Sequence, residues 1–260
     1  MDIVDFHAHI YPDNIAQKAV KSIGQFYTIE METDGTVSAL LAQCRKASVT
    51  HCVVQSVATN AAQVTKINDF IARQCALHSE LIGFGTMHVD FENPEEELRR
   101  MREMGLVGVK IHPDTQQFNL DDPKMMKIYE MISGKMPVLI HCGDYRYDYS
   151  HPRRLQNVID TFPNLTVIGA HFGGWSIWDL AMEYLLDRRC YLDCSSSLMF
   201  LGKVRSGEII KAYGADRILF GTDFPMWTQS EELERFSLLD LDDRQREKIL
   251  SGNAKKILNI

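Results

Sequence analysis

The chain has 260 residues, of which 45% are hydrophobic and 24% are charged, and its formal net charge at pH 7 is -7. This length suits one large domain, since an α/β barrel typically needs about 250 residues. The acidic balance argues against a basic surface for nucleic acid or for an anionic membrane, so the expected partner is a small-molecule substrate.

Short β-branched segments alternate with longer segments of helical periodicity, a pattern typical of repeated βα units and a parallel sheet. Eight strands are predicted, near Ile3–His7, His51–Val57, Leu81–His88, Val107–Ile111, Pro137–His141, Thr166–His171, Tyr191–Ser195 and Arg217–Asp223. Helices are predicted between them, for example at Ala61–Ser79, Pro94–Met104, Pro123–Ser133 and Ile177–Asp187. Residues 24–36 predict an insertion after the first helix, and Asp242–Ile260 predicts closing helices. The alternation predicts a single (β/α)8 TIM barrel domain over residues 1–260.

The chain shows neither a signal peptide nor an apolar run long enough for a membrane span, so a cytoplasmic protein is expected, with homo-oligomerisation left open. Its six cysteines are scattered and form no CxxC pair. We expect them to be reduced and mostly buried, because a chain of this size needs no disulfides.

Side chains alternate between the two faces of a strand, so counting along each strand predicts which residues point into the barrel. On the first strand, Val4 and Phe6 are predicted to face the helices, and Asp5, His7 and His9 to face inward. Asp5 could then orient a metal ligand from below. The same counting places His141 inward at the end of the fifth strand.

Two more strands end with a polar residue that is predicted to point inward. His171 shares the parity of Val167 and Gly169 on the sixth strand, and Asp223 closes the eighth. Barrel enzymes place their chemistry at the carboxyl ends of the strands. Imidazoles and a carboxylate are ligands for Zn²⁺ and similar divalent ions, which lower the pKa of bound water to about 7. We therefore predict a metal site on these strand ends, with His171 left to bind the water or the substrate oxygen.

Three further residues are candidates for substrate binding. Lys110 and His112 point inward from the fourth strand, and Arg146 lies in an aromatic loop over the predicted barrel mouth. Lys110 could form an ion pair with Asp223 or Asp193, bridge two metals as a carboxylated lysine, or bind an anionic substrate. Arg146 could clamp a carboxylate or belong to an ordinary solvated loop.

Five segments resemble the amidohydrolase superfamily, and more narrowly its amidohydrolase 2 branch, which includes aminocarboxymuconate-semialdehyde decarboxylases. The segments are DFHAHI at 5–10, VLIHCG at 138–143, GAHFGG at 169–174, FGTDFP at 220–225 and GNAKKIL at 252–258. The resemblance implies a distorted (β/α)8 barrel with one Zn²⁺ on His7, His9, His141 and Asp223. It also implies that His171 is catalytic, that Asp223 moves protons and that Lys110 is a substrate-binding or structural cation.

Four functional hypotheses follow. The leading one is hydrolysis of an amide, lactone or related bond in a small acidic substrate by zinc-activated water, because the chain is shorter than typical decarboxylases of the branch. The alternative is non-oxidative decarboxylation of an unsaturated or aromatic carboxylic acid. A metal-dependent nuclease is disfavoured, because such barrels carry an acidic ligand where this chain has Lys110 and because the net charge repels DNA. A non-catalytic barrel ranks low, because all five site candidates are present.

Overall fold

The structure is a computed structural model that describes residues 2–31 and 33–260. Eight parallel strands are hydrogen-bonded in chain order and form a nearly closed barrel. The strands are β1 Val4–His9, β2 His51–Gln55, β3 Leu81–Thr86, β4 Gly108–Ile111, β5 Val138–Ile140, β6 Val167–Gly169, β7 Tyr191–Asp193 and β8 Ile218–Leu219. Backbone bonds from Phe6 N to Phe220 O (2.8 Å) and from Asp223 N to His7 O (2.7 Å) join β1 to the segment that follows β8. The predicted fold is confirmed.

Twelve α-helices lie along the described chain. They are α1 Asp13–Tyr27, α2 Val37–Ala47, α3 Val64–Leu77, α4 Pro94–Glu103, α5 Pro113–Gln116, α6 Pro123–Ile132, α7 Pro152–Thr161, α8 Trp178–Leu185, α9 Leu198–Tyr213, α10 Gln229–Ser237, α11 Asp243–Glu247 and α12 Asn253–Leu258. The first four residues of the predicted insertion, 24–27, belong to α1, and its Glu32 lies outside the described residues. Within residues 2–31 and 33–260, no helix is long and apolar enough to cross a membrane.

Two apolar clusters fill the fold. The larger lies between the strands and the surrounding helices. The smaller lies inside the barrel, and its buried members are Val4, Phe6, Val53, Phe84, Leu139, Ile168, Ala170, Leu219 and Ala254. Because α12 adds Ala254, Ile257 and Leu258 to this cluster beside the first residues of several strands, it covers the amino-terminal end of the barrel. The opposite end is left for the site.

The inner cluster corrects the predicted parity of β1. Val4 and Phe6 point into the barrel, not toward the helices. The pairing of β1 with β2 shifts between Asp5 and Ala8, so one extra residue is accommodated in β1 as a bulge. Because of this bulge, the alternation of side chains reverses after Phe6. His7 and His9 therefore also point into the barrel. The prediction was right for both histidines and wrong for the residues below them.

The sixth strand needs a similar correction. Ile168 and Ala170 lie in the inner cluster, whereas Val167 belongs to the outer one. His171 follows the strand rather than ending it, and its φ of 59° is left-handed. Asp223 also follows its strand and has a φ of 62°. Left-handed backbone is uncommon outside glycine and clusters at functional sites, and here it turns both side chains toward the barrel axis.

Candidate metal centre and substrate cavity

Three side chains meet at the carboxyl end of the barrel. His7 and His9 lie on β1, and Asp223 lies in the loop after β8. The Nε2 atoms of the two histidines are 3.2 Å apart. Oδ1 of Asp223 lies 3.3 Å from Nε2 of His7 and 3.4 Å from Nε2 of His9. The three atoms form a nearly equilateral triangle.

The triangle has the dimensions and chemistry of a divalent metal site. Ligands at about 2.1 Å from an ion, at angles of about 90 to 110°, are separated from each other by roughly 3.0 to 3.4 Å. Two imidazoles and a carboxylate suit Zn²⁺, Mn²⁺ and related ions. Burial, reinforced by the charge of Lys110, lowers the pKa of His7 to about 4, so its imidazole is neutral and able to bind a metal. The three residues fit the group that the family resemblance implies.

Asp193 orients this site, although it was not among the predicted site residues. Its Oδ2 lies 2.9 Å from Nδ1 of His7, so Nδ1 carries the hydrogen and Nε2 keeps its lone pair for the triangle. Its Oδ1 accepts from the backbone N–H of His171 (3.1 Å) and of Ser195 (3.0 Å). Burial opposes ionisation of Asp193, but its interactions with His7 outweigh burial and lower the pKa of Asp193 to about 2. Asp193 ends β7 and has the same inward parity as Tyr191. This parity is the sequence feature from which its place in the site could have been predicted.

Asp5 links β1 to the loop after β8, and these two segments carry the triangle. Its Oδ1 accepts from the backbone N–H of His7 (3.1 Å) and of Thr222 (3.0 Å). Its Oδ2 accepts from the Thr222 hydroxyl (2.6 Å) and from Nε2 of Gln229 on α10 (2.9 Å). Asp5 therefore positions His7 through the backbone, and it does not face the metal site.

His141 lies just beyond β5, in a second group with His112 and Asp114. Its ring stacks on that of His112, with centroids 3.8 Å apart and planes at 6°. Its Nε2 lies 3.5 Å from Oδ2 of Asp114 and 3.1 Å from the carbonyl oxygen of Gly143. The structure thus brings three of the four predicted ligands together, and His141 as the fourth stays a prediction.

His171 lies between the two groups. Its Nε2 is 3.0 Å from Nδ1 of His141, and its ring stacks on that of His7 with centroids 5.1 Å apart. Its Nδ1 lies 2.9 Å from the carbonyl oxygen of Ser195, which only accepts, so Nδ1 carries a hydrogen. Nε2 is therefore the ring atom placed to exchange a proton.

Lys110 and His112 both face this centre from β4 and its end. The Nζ atom of Lys110, fully buried, lies 3.0 Å from Nε2 of His7. Burial lowers the pKa of Lys110 to about 8, against the opposing charges of Asp193 and Asp223. Nε2 of His112 lies 2.9 Å from the hydroxyl of Tyr27, so α1 is joined to the second histidine group.

Arg146 is held away from the centre. Its guanidinium bonds the buried carboxylate of Asp144, at 2.9 Å from Nε to Oδ1 and 2.6 Å from Nη2 to Oδ2. Nη1 donates to the carbonyl oxygen of Phe26 (2.6 Å), whose ring lies 4.6 Å below the guanidinium. Arg146 therefore fastens the end of α1, and it is not among the residues that line the cavity. Its predicted role in substrate binding stays a prediction.

A cavity of about 790 Å³ opens above the triangle. Its polar floor is formed by His7, His9, Lys110, His112, Asp114, His141, His171 and Asp223. Its walls are largely apolar and include Ile15, Ile23, Phe26, Ile67, Phe70 and Met226. Such a site suits an organic molecule that carries a polar group at one end.

The fold and the converging polar residues define a TIM-barrel enzyme with a candidate metal centre. A family model described as Amidohydrolase matches residues 4–260. The chain therefore belongs to the amidohydrolase family, in its amidohydrolase 2 branch, as the sequence motifs predicted.

Three decarboxylases are similar to the chain. It is 24% identical over 251 residues to a gamma-resorcylate decarboxylase from Polaromonas sp. (strain JS666 / ATCC BAA-500), covering 75% of this chain and 76% of the relative. The structure of 2,6-dihydroxybenzoate decarboxylase from Rhizobium is 18% identical, with a TM-score of 0.77 over 100% of this chain and 99% of that one. A dihydroxybenzoic acid decarboxylase from Polaromonas sp. JS666, with bound manganese and 2-nitroresorcinol, is 16% identical, with a TM-score of 0.76 over 99% and 97%.

These relatives overturn the leading hypothesis of hydrolysis. They are decarboxylases of aromatic acids, which matches the alternative instead. The inference drawn from chain length was wrong, because solved decarboxylases match this chain over nearly its whole length. Metal, fold and histidine motifs are common to both reactions, so they could not separate them.

Proposed function

We propose that the protein decarboxylates an aromatic carboxylic acid in a metal-dependent, non-oxidative reaction. The observation that carries this proposal is the cavity, whose apolar walls end on the triangle of His7, His9 and Asp223. The walls suit an aromatic ring, and the floor suits the carboxylate and hydroxyl groups that it carries. The activities named for the relatives support the same substrate class. Residues 1–260 would form one catalytic domain.

The polar floor would bind the reacting end of the substrate. A divalent ion held by His7, His9 and Asp223, with His141 as the predicted fourth ligand, would supply positive charge for the substrate oxygens. Lys110 places an ammonium group beside His7, where it would bind the same acidic end. His112, just beyond the end of the same strand, would contact the ring or its hydroxyl. Manganese in the Polaromonas structure and the predicted Zn²⁺ are both compatible with this donor set.

The reaction replaces a carboxylate by a proton. The bond between the ring carbon and the carboxylate breaks, CO₂ leaves, and the electron pair stays on the ring carbon and takes up a proton. We assign this proton to Nε2 of His171, which lies at the cavity floor. Asp223 would accept the proton of a ring hydroxyl and return it after CO₂ has left. The interactions of Asp223 with His7, His9 and His171 overcome the effect of burial and hold its pKa well below its usual range, so its carboxylate is ionised before the proton arrives.

Release of CO₂ tests the reaction directly. The chain should be loaded with Mn²⁺ or Zn²⁺ and incubated with dihydroxybenzoic acids, while CO₂ and the decarboxylated ring are measured together. We expect both products in equal amounts, and chelation should abolish their formation. A metal-loaded protein that releases neither product from a panel of hydroxylated aryl acids would contradict the proposal.

The role of His171 is tested by His171→Asn. Asparagine tolerates the left-handed backbone at this position, so the fold should be retained. We expect kcat to fall by at least about 100-fold, since loss of a general acid typically costs 10²- to 10⁴-fold, while bound metal is retained. His78→Asn, at the end of α3 away from the cavity, is the matched control. Unchanged turnover in His171→Asn would remove the assigned role.

A further inference from the structure

The helix α1 turns one face toward the cavity rather than toward the barrel. The residues of α1 that line the cavity include Ile15, Lys18, Ala19, Ser22, Ile23 and Phe26. Their spacing of three and four is that of one helical face. Only Ala16 of α1 is fully buried, and Ile15 is 46% exposed although it is apolar. A long apolar face that packs on little protein indicates contact with a ligand.

The start of α3 contributes a second face to the same cavity. Gln63, Lys66, Ile67 and Phe70 line it, again at a helical spacing. Each of the two faces thus combines apolar side chains with one lysine. Lys18 and Lys66 are exposed, and like most lysines of the described residues neither forms an ion pair.

The size of the cavity exceeds what a single-ring acid needs. A dihydroxybenzoate has about 11 non-hydrogen atoms, and at no more than roughly 30 Å³ for each it would fill about 330 Å³. The cavity measures about 790 Å³, which is in the range that holds drug-sized ligands. More than half of the space would remain above a substrate that reached only the floor.

We propose that the cavity takes an extended aryl acid that carries a second carboxylate at its far end, bound by Lys18 and Lys66. The inference rests on the proposed function for the reacting end, which lies on the metal triangle. The apolar faces of α1 and α3 would hold the ring system between its two acidic ends. Because the whole chain carries a net charge of -7, two unpaired lysines at one cavity are a local site for an anion.

A matched pair of ligands tests the second carboxylate. We would use 3-hydroxybiphenyl-4-carboxylic acid and its analogue with an added carboxylate at the 4′ position. Their affinities for the full chain loaded with Mn²⁺ would be measured by calorimetry. Two solvent-exposed charge pairs are expected to make the dicarboxylate bind roughly fivefold tighter, and added salt should reduce this preference.

Variants of the two lysines test whether they cause the preference for the dicarboxylate. The double variant Lys18→Gln/Lys66→Gln should bind both acids with equal affinity. Lys21→Gln is the control, since Lys21 lies on α1 but faces a different groove, and it should keep the preference. Equal affinities in the wild-type protein, or the same loss of preference in Lys21→Gln, would overturn the proposal.

The second carboxylate site and the proposed decarboxylation can be refuted independently. Tighter binding of the dicarboxylate without any CO₂ release would uphold the second carboxylate site and refute decarboxylation of this class. CO₂ release from the monocarboxylate with no preference for the dicarboxylate would uphold decarboxylation and refute the second site.

Discussion

Asp193 joins two functional histidines through one carboxylate. One oxygen holds the ring of His7, and the other holds the backbone of His171. Because Nδ1 of His7 donates to it, Nε2 of that ring is fixed as the atom that faces His9 and Asp223, where the proposed metal would bind. Carboxylates that hold metal-binding histidines in this way typically contribute 10- to 100-fold to metal affinity or activity.

Asp193→Asn should therefore weaken metal binding. We expect the dissociation constant for Mn²⁺, measured by calorimetry, to rise by about 10- to 100-fold, because an amide neither fixes the tautomer of His7 nor carries charge. Circular dichroism would check that the barrel is intact. Asp187→Asn, on an exposed residue just after α8, should bind metal like the wild type. An affinity unchanged in Asp193→Asn would contradict the orienting role.

For single residues, the sequence predicted the direction of a side chain better than its contacts. Alternation along β8 correctly placed Leu219 inside and Ile218 outside, but Asp223 follows the strand, and its left-handed backbone turns its side chain inward. On β1, the predicted inward direction of His7 was correct only because a bulge compensated for the wrong parity assigned to Val4 and Phe6. Bulges depend on pairing with a neighbouring strand, and no local residue pattern indicated the bulge in β1. The stacking of His141 on His112 likewise depends on two loops meeting in space.

Among the elements, β3 and β4 show how the barrel interior is filled. Gly108 on β4 lies directly against the ring of Phe84 on β3, and a β-carbon at Gly108 would overlap that ring. The ring of Phe84 also packs edge-on against Phe6, with centroids 5.6 Å apart. One large side chain thus occupies the space that several strands leave below the metal site.

Gly108→Ala should destabilise the protein by about 1 to 3 kcal/mol, the usual cost of overpacking a core. Chemical denaturation would give the free energy of unfolding. Phe84→Leu should recover part of the loss when combined with Gly108→Ala, since it makes room for the added methyl. Gly207→Ala is the contrasting variant: it lies in α9 with open space around it, and it should stabilise the fold by up to about 1 kcal/mol. Equal effects of the two alanines would exclude the packing argument.

The elements that form the cavity were harder to predict than those that form the barrel. Strands were recognised by β-branched residues and by their regular recurrence. No bounds were predicted for the first helix, and its face toward the cavity mixes the apolar Ile15, Ile23 and Phe26 with the polar Lys18 and Ser22. A face that meets a ligand need not follow the pattern of a face that meets protein.

For the molecule as a whole, the motifs predicted the fold and family because four of them lie at the carboxyl ends of β1, β5, β6 and β8, where the polar residues converge. The reaction depended on smaller differences. Hydrolysis and decarboxylation can use the same donors, so the distinguishing feature is the shape and polarity of the cavity. That shape arises from α1, α3 and several loops that are far apart in sequence, and it becomes visible only in three dimensions.

Stability against pH also belongs to the whole molecule, and Glu232 on α10 offers a test away from the metal site. It is fully buried, and burial raises its pKa from 4.5 to about 7, although Arg235 opposes the shift. The folded state therefore holds a proton that the unfolded state has released between these values. The stability from this group is complete below about pH 4.5 and is lost as pH rises through about 7.

Glu232→Gln should remove this dependence, because its amide stays neutral. The free energy of unfolding, measured from pH 5 to 8, should fall less steeply with pH in the variant than in the wild type. The difference between the two curves should change by up to about 3 kcal/mol across this range. Glu234→Gln, on an exposed residue of the same helix, should follow the wild-type curve. Parallel curves for Glu232→Gln and the wild type would show that Glu232 is ionised in the folded protein throughout, held so by Arg235.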